Sequence, residues 1–102
     1  MVLIMKVRQL TFRLLQVYAD VVRTGSLTAT ANRLHLTQPT VSQQLKRLRE
    51  IVGEPIVRHE EGRLVPTEVG QALYQLSQDL LSRADVFSQY LEEYNRGGRG
   101  HF

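Results

Sequence analysis

Cysteine is absent from the 102 residues, which excludes disulfides, thiolate nucleophiles and every cysteine-based zinc finger. No apolar run approaches the ~20 residues that a membrane-spanning helix needs. The apolar start, Met1-Val2-Leu3-Ile4-Met5, is too short for a signal peptide, and no cleavage site follows it. The expected location is the reducing cytoplasm. Catalytic signatures are missing too. There is no Gly-x-Ser-x-Gly elbow and no Walker loop. His35, His59 and His101 are scattered, without the His-x-x-x-His or Glu-partnered spacing of a metal site. The expectation is a chain that is not an enzyme and needs no metal or cofactor.

Two further gaps are more telling because they are local. No acidic residue occurs between Val21 and Arg49. Residues 1–50 carry eight Lys/Arg against only Asp20 and Glu50, whereas residues 51–102 carry five arginines against eight Asp/Glu. The overall +3 therefore joins a basic half to an acidic half, a charge split that suits nucleic-acid binding by one part of the chain. The seven aromatics leave the stretch from Val21 to Leu73 empty, which argues against RNA binding through stacked bases. With 42% hydrophobic residues, a packed core is within reach.

Apolar spacing then gives the element order. Leu10, Leu14, Val17 and Val21 recur at 4, 3 and 4, beside Leu15 and Val22, the stripe of an amphipathic helix. Thr24-Gly25 ends it. Ser26 or Thr28 caps a short second helix carrying Leu27, Ala31 and Leu34. After the tight break His35-Leu36-Thr37, a third helix starts with Thr37 as cap and Pro39 in the first turn. Its inward face is Val41, Leu45, Leu48 and Val52, and Gly53 closes it. Ile56-Val57-Arg58 and Arg63-Leu64-Val65 predict a hairpin across His59-Glu60-Glu61-Gly62. From Thr67 a last helix runs to about residue 94, some ~40 Å at 1.5 Å per residue. The predicted fold is mainly α, a winged helix-turn-helix followed by a long dimerisation helix. The expected divisions are an N-terminal extension over 1–7, the winged domain over 8–66, the rod over 67–94 and a disordered tail over 95–102.

A helix that reads duplex DNA must be anchored behind and offer donors and acceptors in front, since the major groove admits one α-helix and displays mixed base edges. The third helix fits. Opposite its anchored face stand Gln38, Thr40, Gln43, Gln44, Lys46 and Arg47. Glutamine can pair bidentately with adenine, and threonine offers a hydroxyl and a methyl. Small residues at its start admit close backbone approach, and the helix dipole there favours phosphate.

The run Gly25-Ser26-Leu27-Thr28-Ala29-Thr30-Ala31-Asn32-Arg33-Leu34-His35-Leu36-Thr37-Gln38-Pro39-Thr40-Val41-Ser42-Gln43-Gln44-Leu45 resembles the helix-turn-helix signature of LysR-type bacterial transcriptional regulators. The likeness continues in register through Leu48, Gly53, Pro55-Ile56-Val57, Arg63 and Thr67-Glu68-Val69-Gly70, covering about residues 8 to 94. It implies the N-terminal DNA-binding domain and linker helix of such a regulator, binding an inverted repeat of double-stranded DNA as a homodimer. It implies base readout by Gln38, Pro39, Thr40 and Gln43. It implies backbone contacts from Thr28, Thr37, Ser42 and Lys46, with Arg63 reaching the neighbouring minor groove or its phosphates. Val57, His59, Pro66 and Gln43 depart from the residues usual at those positions. The Gln43 departure implies an altered base preference, and His59 a weaker phosphate contact. Family members continue into a two-lobed effector-binding domain that these 102 residues do not contain, so the chain reads as a fragment or as a short regulator without a sensor, with no small-molecule ligand in these residues.

Leu73, Leu80, Phe87 and Tyr94 recur at sevens along the rod, with Leu76, Ala84 and Leu91 beside them. A helix of that length outruns a core of some 60 residues, so its distal half reads as a dimer seam. The DNA-binding domain of molybdate-responsive regulators is a less close likeness. A winged helix that docks on protein would carry apolar residues on the exposed face of its third helix, where this chain has Gln, Thr, Lys and Arg.

Overall fold

The computed structural model describes residues 2–97. The elements follow in the order α1 (Val2–Val7), α2 (Phe12–Thr24), α3 (Leu27–Leu34), α4 (Gln38–Val52), β1 (Val57–Glu60), β2 (Arg63–Pro66) and α5 (Glu68–Arg96). The three anticipated helices are α2, α3 and α4. Each begins at a hydroxyl cap: Thr11 accepts from the Leu14 N–H, Ser26 from Ala29 and Thr37 from Thr40. Ser26 thus caps α3, and Thr28 lies inside the helix. Such caps satisfy amide donors that the first turn leaves free.

Helix α2 is the spine, because it buries residues around most of its circumference. Leu14, Leu15 and Tyr18 meet Leu48, Ile51, Ile56 and Leu73 on one side. On the other, Val17 and Val21 meet Ala31, Val41 and Leu64. The core therefore draws on every element from α2 to α5. Ile51, outside the predicted inward stripe, is buried, while Leu45 and Val52 are half-buried.

The hairpin is tighter than its sequence suggests. His59 and Glu60 belong to β1, and Glu60 pairs with Arg63, so only Glu61 and Gly62 turn. Both have positive φ, 50° and 80°, the hand that matches the twist of the flanking strands in a two-residue turn. Pro66 pairs with Val57 at the end of β2.

Other boundaries shift for similar local reasons. Residues 2–7 of the extension are helical, an exposed turn and a half that contacts α4. Asn95 and Arg96 continue α5 rather than beginning a tail, since no breaker precedes Gly97. The remainder of the expected tail, 98–102, lies outside the described residues. At 29 residues, α5 is about 43 Å long. Its first half packs on α2 and β2, and beyond Ala84 it leaves the body.

Candidate nucleic-acid interface

Two long-range anchors set the geometry. The first joins α2 to α3. Asp20 is 1% exposed, the only acidic residue before Glu50. Its Oδ1 accepts from Arg23 Nη2 at 2.8 Å and from Arg33 Nε at 2.9 Å, while Oδ2 has no hydrogen-bond partner among the described residues. Burial pushes this carboxyl up, but the hydrogen bonds from Arg23 and Arg33 outweigh it and hold it below the ordinary carboxylate range. Beside it, Thr30 is fully buried and its hydroxyl lies 3.1 Å from that of Thr24.

Because the folded carboxyl titrates below its unfolded value, its stabilising contribution is complete above the unfolded pKa and is lost as pH falls through the folded one. Asp20→Asn is expected to lower stability at neutral pH by about 2 kcal/mol, the scale of a charged hydrogen bond. The difference between wild type and variant, measured by urea denaturation, should shrink below about pH 4. A constant difference down to low pH would contradict the ion-pair role.

The second anchor joins α2 to the wing and to α5. Tyr18 is fully buried, and its hydroxyl donates within reach of two carbonyls, Ile56 O at 2.7 Å and Gly70 O at 3.0 Å. Burial pushes the phenol well above its usual pKa, so it remains a donor. Thr67 adds a bond from its hydroxyl to Pro55 O at 2.7 Å.

With these anchors, α4 presents Gln38, Pro39, Gln43, Lys46 and Arg47 to solvent. Thr40 is half-buried, and its hydroxyl lies 2.9 Å from that of Thr37, so two candidate contacts are tied together at the cap. Gln44, expected on the outer face, is half-buried. Arg47 donates to Gln9 Oε1 at 2.8 Å, which ties the outer face of α4 to the chain just after α1.

The wing flanks α4 on the opposite side. A shallow crevice of about 190 Å³ brings together Thr28 at the start of α3, Gln38 at the start of α4, and His59 and Arg63 on the wing. The Leu64 N–H donates to Gly25 O at 2.9 Å, which holds β2 against the α2–α3 junction. Gly25 serves twice. Its φ of 71° closes α2, and a side chain there would come within 2.7 Å of the Arg63 guanidinium. Further along, Ser42 and Lys46 line a groove with Arg49, Pro55 and Val57. Neither α3 nor α4 has an acidic residue in its first turn, whereas α5 begins with Glu68. The positive helix ends that face the crevice are left uncompensated.

The anticipated seam residues divide. Leu73 is buried in the protein's own core and cannot meet a partner. Leu76, Leu80, Ala84 and Tyr94 are half-buried, and Phe87 and Leu91 are exposed. Phe87 stacks on Tyr90, which meets Tyr94 at a tilt, with ring centroids 6.3 and 6.1 Å apart. Tyr90, unlisted by the spacing of sevens, is 59% exposed. The packing roles of Asp20, Tyr18 and Gly70 are not legible in the sequence, where Asp20 shows only as a lone acid in a basic half and Gly70 only as the end of the Thr67-Glu68-Val69-Gly70 run. Among the described residues no cluster of His, Asp and Glu could hold a metal ion, and no helix is long and apolar enough to cross a membrane.

This arrangement has known counterparts. The transcriptional activator CmpR of Synechocystis sp. is 37% identical over 83 residues, covering 81% of this chain and 27% of its own length. The regulator BudR of Klebsiella aerogenes is 34% identical, covering 87% of this chain and 62% of its own. Among solved structures, the BenM_DBD/catB site 1 DNA complex superposes with a TM-score of 0.75 at 29% identity, over 91% of this chain and all of that one. Residues 12–71 match the pattern of the bacterial regulatory helix-turn-helix proteins of the lysR family, and the chain belongs to that family.

Proposed function

We propose that this chain binds double-stranded DNA sequence-specifically as a homodimer on an inverted repeat, as the DNA-reading part of a bacterial transcriptional regulator working in the cytoplasm. Helix α4 enters the major groove, and the wing lies on the adjacent minor groove or backbone. The observation that carries this reading is the outer face of α4. From Gln38 to Arg49 it is free of acid and exposed except at the half-buried Thr40 and Gln44, and it is bracketed by the crevice that gathers Thr28, Gln38 and Arg63. The likeness to a BenM structure in complex with DNA supports it. So do the relatives, which are transcriptional regulators. The molybdate-responsive alternative is not favoured beside the lysR match, and a protein-docking α4 would need an apolar outer face.

Gln38, Pro39 and Gln43 are the base-reading set, with Thr40 contributing its methyl while its hydroxyl serves the cap. Thr28, Thr37, Ser42, Lys46 and Arg63 position the domain on phosphates, contacts that carry no sequence information directly. Two half-sites read by a two-fold dimer lie about one helical turn apart or more. The distal, exposed stripe of α5 forms the seam, with Phe87 and Leu91 at its centre.

Sites selected from a random duplex library supply the test. On a selected site Gln38→Ala should cost about 1–3 kcal/mol and little on unrelated DNA. Lys46→Ala should weaken both and reduce the salt slope by about one. Equal losses from Gln38→Ala on both duplexes would remove it from the reading set, and recovery of no preferred site would overturn sequence-specific binding.

A further inference from the structure

The wing crevice holds a histidine that the phosphate-contacting set proposed above does not include. His59 is exposed on β1 and lines the crevice beside Thr28, Gln38 and Arg63. Its cross-strand partner is Leu64, whose side chain is buried against α2, α3 and α4. Strand alternation therefore turns the imidazole to the side of the wing that faces the helices. Arg58 and Glu60, one residue to either side, point the other way and form an ion pair with each other.

The charges around the imidazole are of one kind. Arg63, which pairs with Glu60 across the hairpin, lines the same crevice from β2. The α2–α3 junction contributes Gly25, Ser26, Leu27 and Thr28, and α4 contributes Gln38, none of them charged. The remaining carboxylates of the wing are Glu60, already paired with Arg58, and Glu61 in the turn. No carboxylate lines the crevice. An imidazolium formed here has no anionic partner among the described residues that line the crevice. A phosphate of the bound duplex would supply one.

We propose that His59 is a phosphate-contacting residue of this interface and that it makes the contact as an imidazolium, so that DNA binding takes up a proton at each wing. The inference rests on the DNA-binding reading and adds a dependence on pH to it. Imidazole changes charge within the physiological range, and a ligand that binds the protonated form better must pull protons onto the protein. Affinity for any duplex should accordingly fall as pH rises, through a contact that reads charge and not sequence.

The probe is a short mixed-sequence duplex, titrated by fluorescence anisotropy against the whole chain at fixed ionic strength. From about pH 6 to about pH 8, wild-type affinity is expected to fall about tenfold, and the salt slope to shrink by about one per wing. His59→Gln should bind at all pH values like the wild type at high pH. His59→Arg should bind at all pH values at least as tightly as the wild type at low pH. His35 is the other described histidine near the reading helix, at a left-handed φ of 57°. His35→Asn suits that conformation and should keep the pH dependence. A pH dependence that survives in His59→Gln, or is absent from the wild type while the duplex still binds, overturns the role of His59. No duplex binding at either pH would instead overturn the DNA-binding reading itself, and this inference with it.

Discussion

Replacing Gly70 by alanine is expected to cost about 3 kcal/mol or more, a large share of a domain stability of order 5–15 kcal/mol. Gly70 sits in the first turn of α5, buried where that helix crosses α2 and the start of the wing. An added Cβ would overlap both the Ile56 carbonyl oxygen and the Tyr18 hydroxyl. Those atoms cannot simply yield, because Tyr18 already donates to Ile56 O and Gly70 O, and each carbonyl is backbone. Separating the elements to admit a methyl would strand the buried Tyr18 hydroxyl, adding an unmet-polar-group cost to the steric one. Gly97→Ala is the matched control, since a Cβ there comes no nearer than 3.4 Å to any atom. Far-UV circular dichroism during urea titration reads both. Equal midpoints for the two variants would show that the crossing of α2, the wing and α5 is not rigid.

Phe87→Glu carries the largest effect on binding. Phe87 is 60% exposed, on the part of α5 that projects past the body, so the folding midpoint should hardly move. The dimer should dissociate, because a charge set into the middle of an apolar seam must be desolvated without a partner. Sedimentation of the wild type at micromolar concentration is expected to report a dimer, and of Phe87→Glu a monomer. On a duplex with two half-sites, loss of the tether should reduce affinity by about 10²–10⁴-fold, the range that linking two sites contributes. Binding to a single half-site should be unchanged. A variant that remains dimeric, or a monomeric wild type, would remove Phe87 from the seam.

The contrast between these two residues shows where sequence pattern stops being informative. Phe87 is legible as a seam candidate because its recurrence with Leu80 and Tyr94 outlasts the core available to cover it. Leu73 belongs to the same recurrence yet is buried against α2. The period of seven marks one face of α5, and only the packed body shows how far along that face it reaches. Gly70 lies within a recognisable motif, but nothing in the motif says that a tyrosine hydroxyl 52 positions earlier occupies the space its missing side chain leaves.

What the sequence by itself determined is what depends on neighbours three or four residues away. Those features include the hydroxyl cap at Thr37, the closure of α2 and α4 at Gly25 and Gly53, the order of helices and hairpin, and the acid-free face of α4. Each is settled by backbone donors, φ preferences and apolar period, all local quantities. Tertiary structure decided the rest. It buried Asp20 between two arginines, set Tyr18 against two distant carbonyls, and shortened the wing turn to Glu61 and Gly62. It also brought His59 and Arg63 alongside Thr28 and Gln38. These arrangements depend on which faces of separate elements meet, and so on the packing of the whole chain. Local preference cannot encode that.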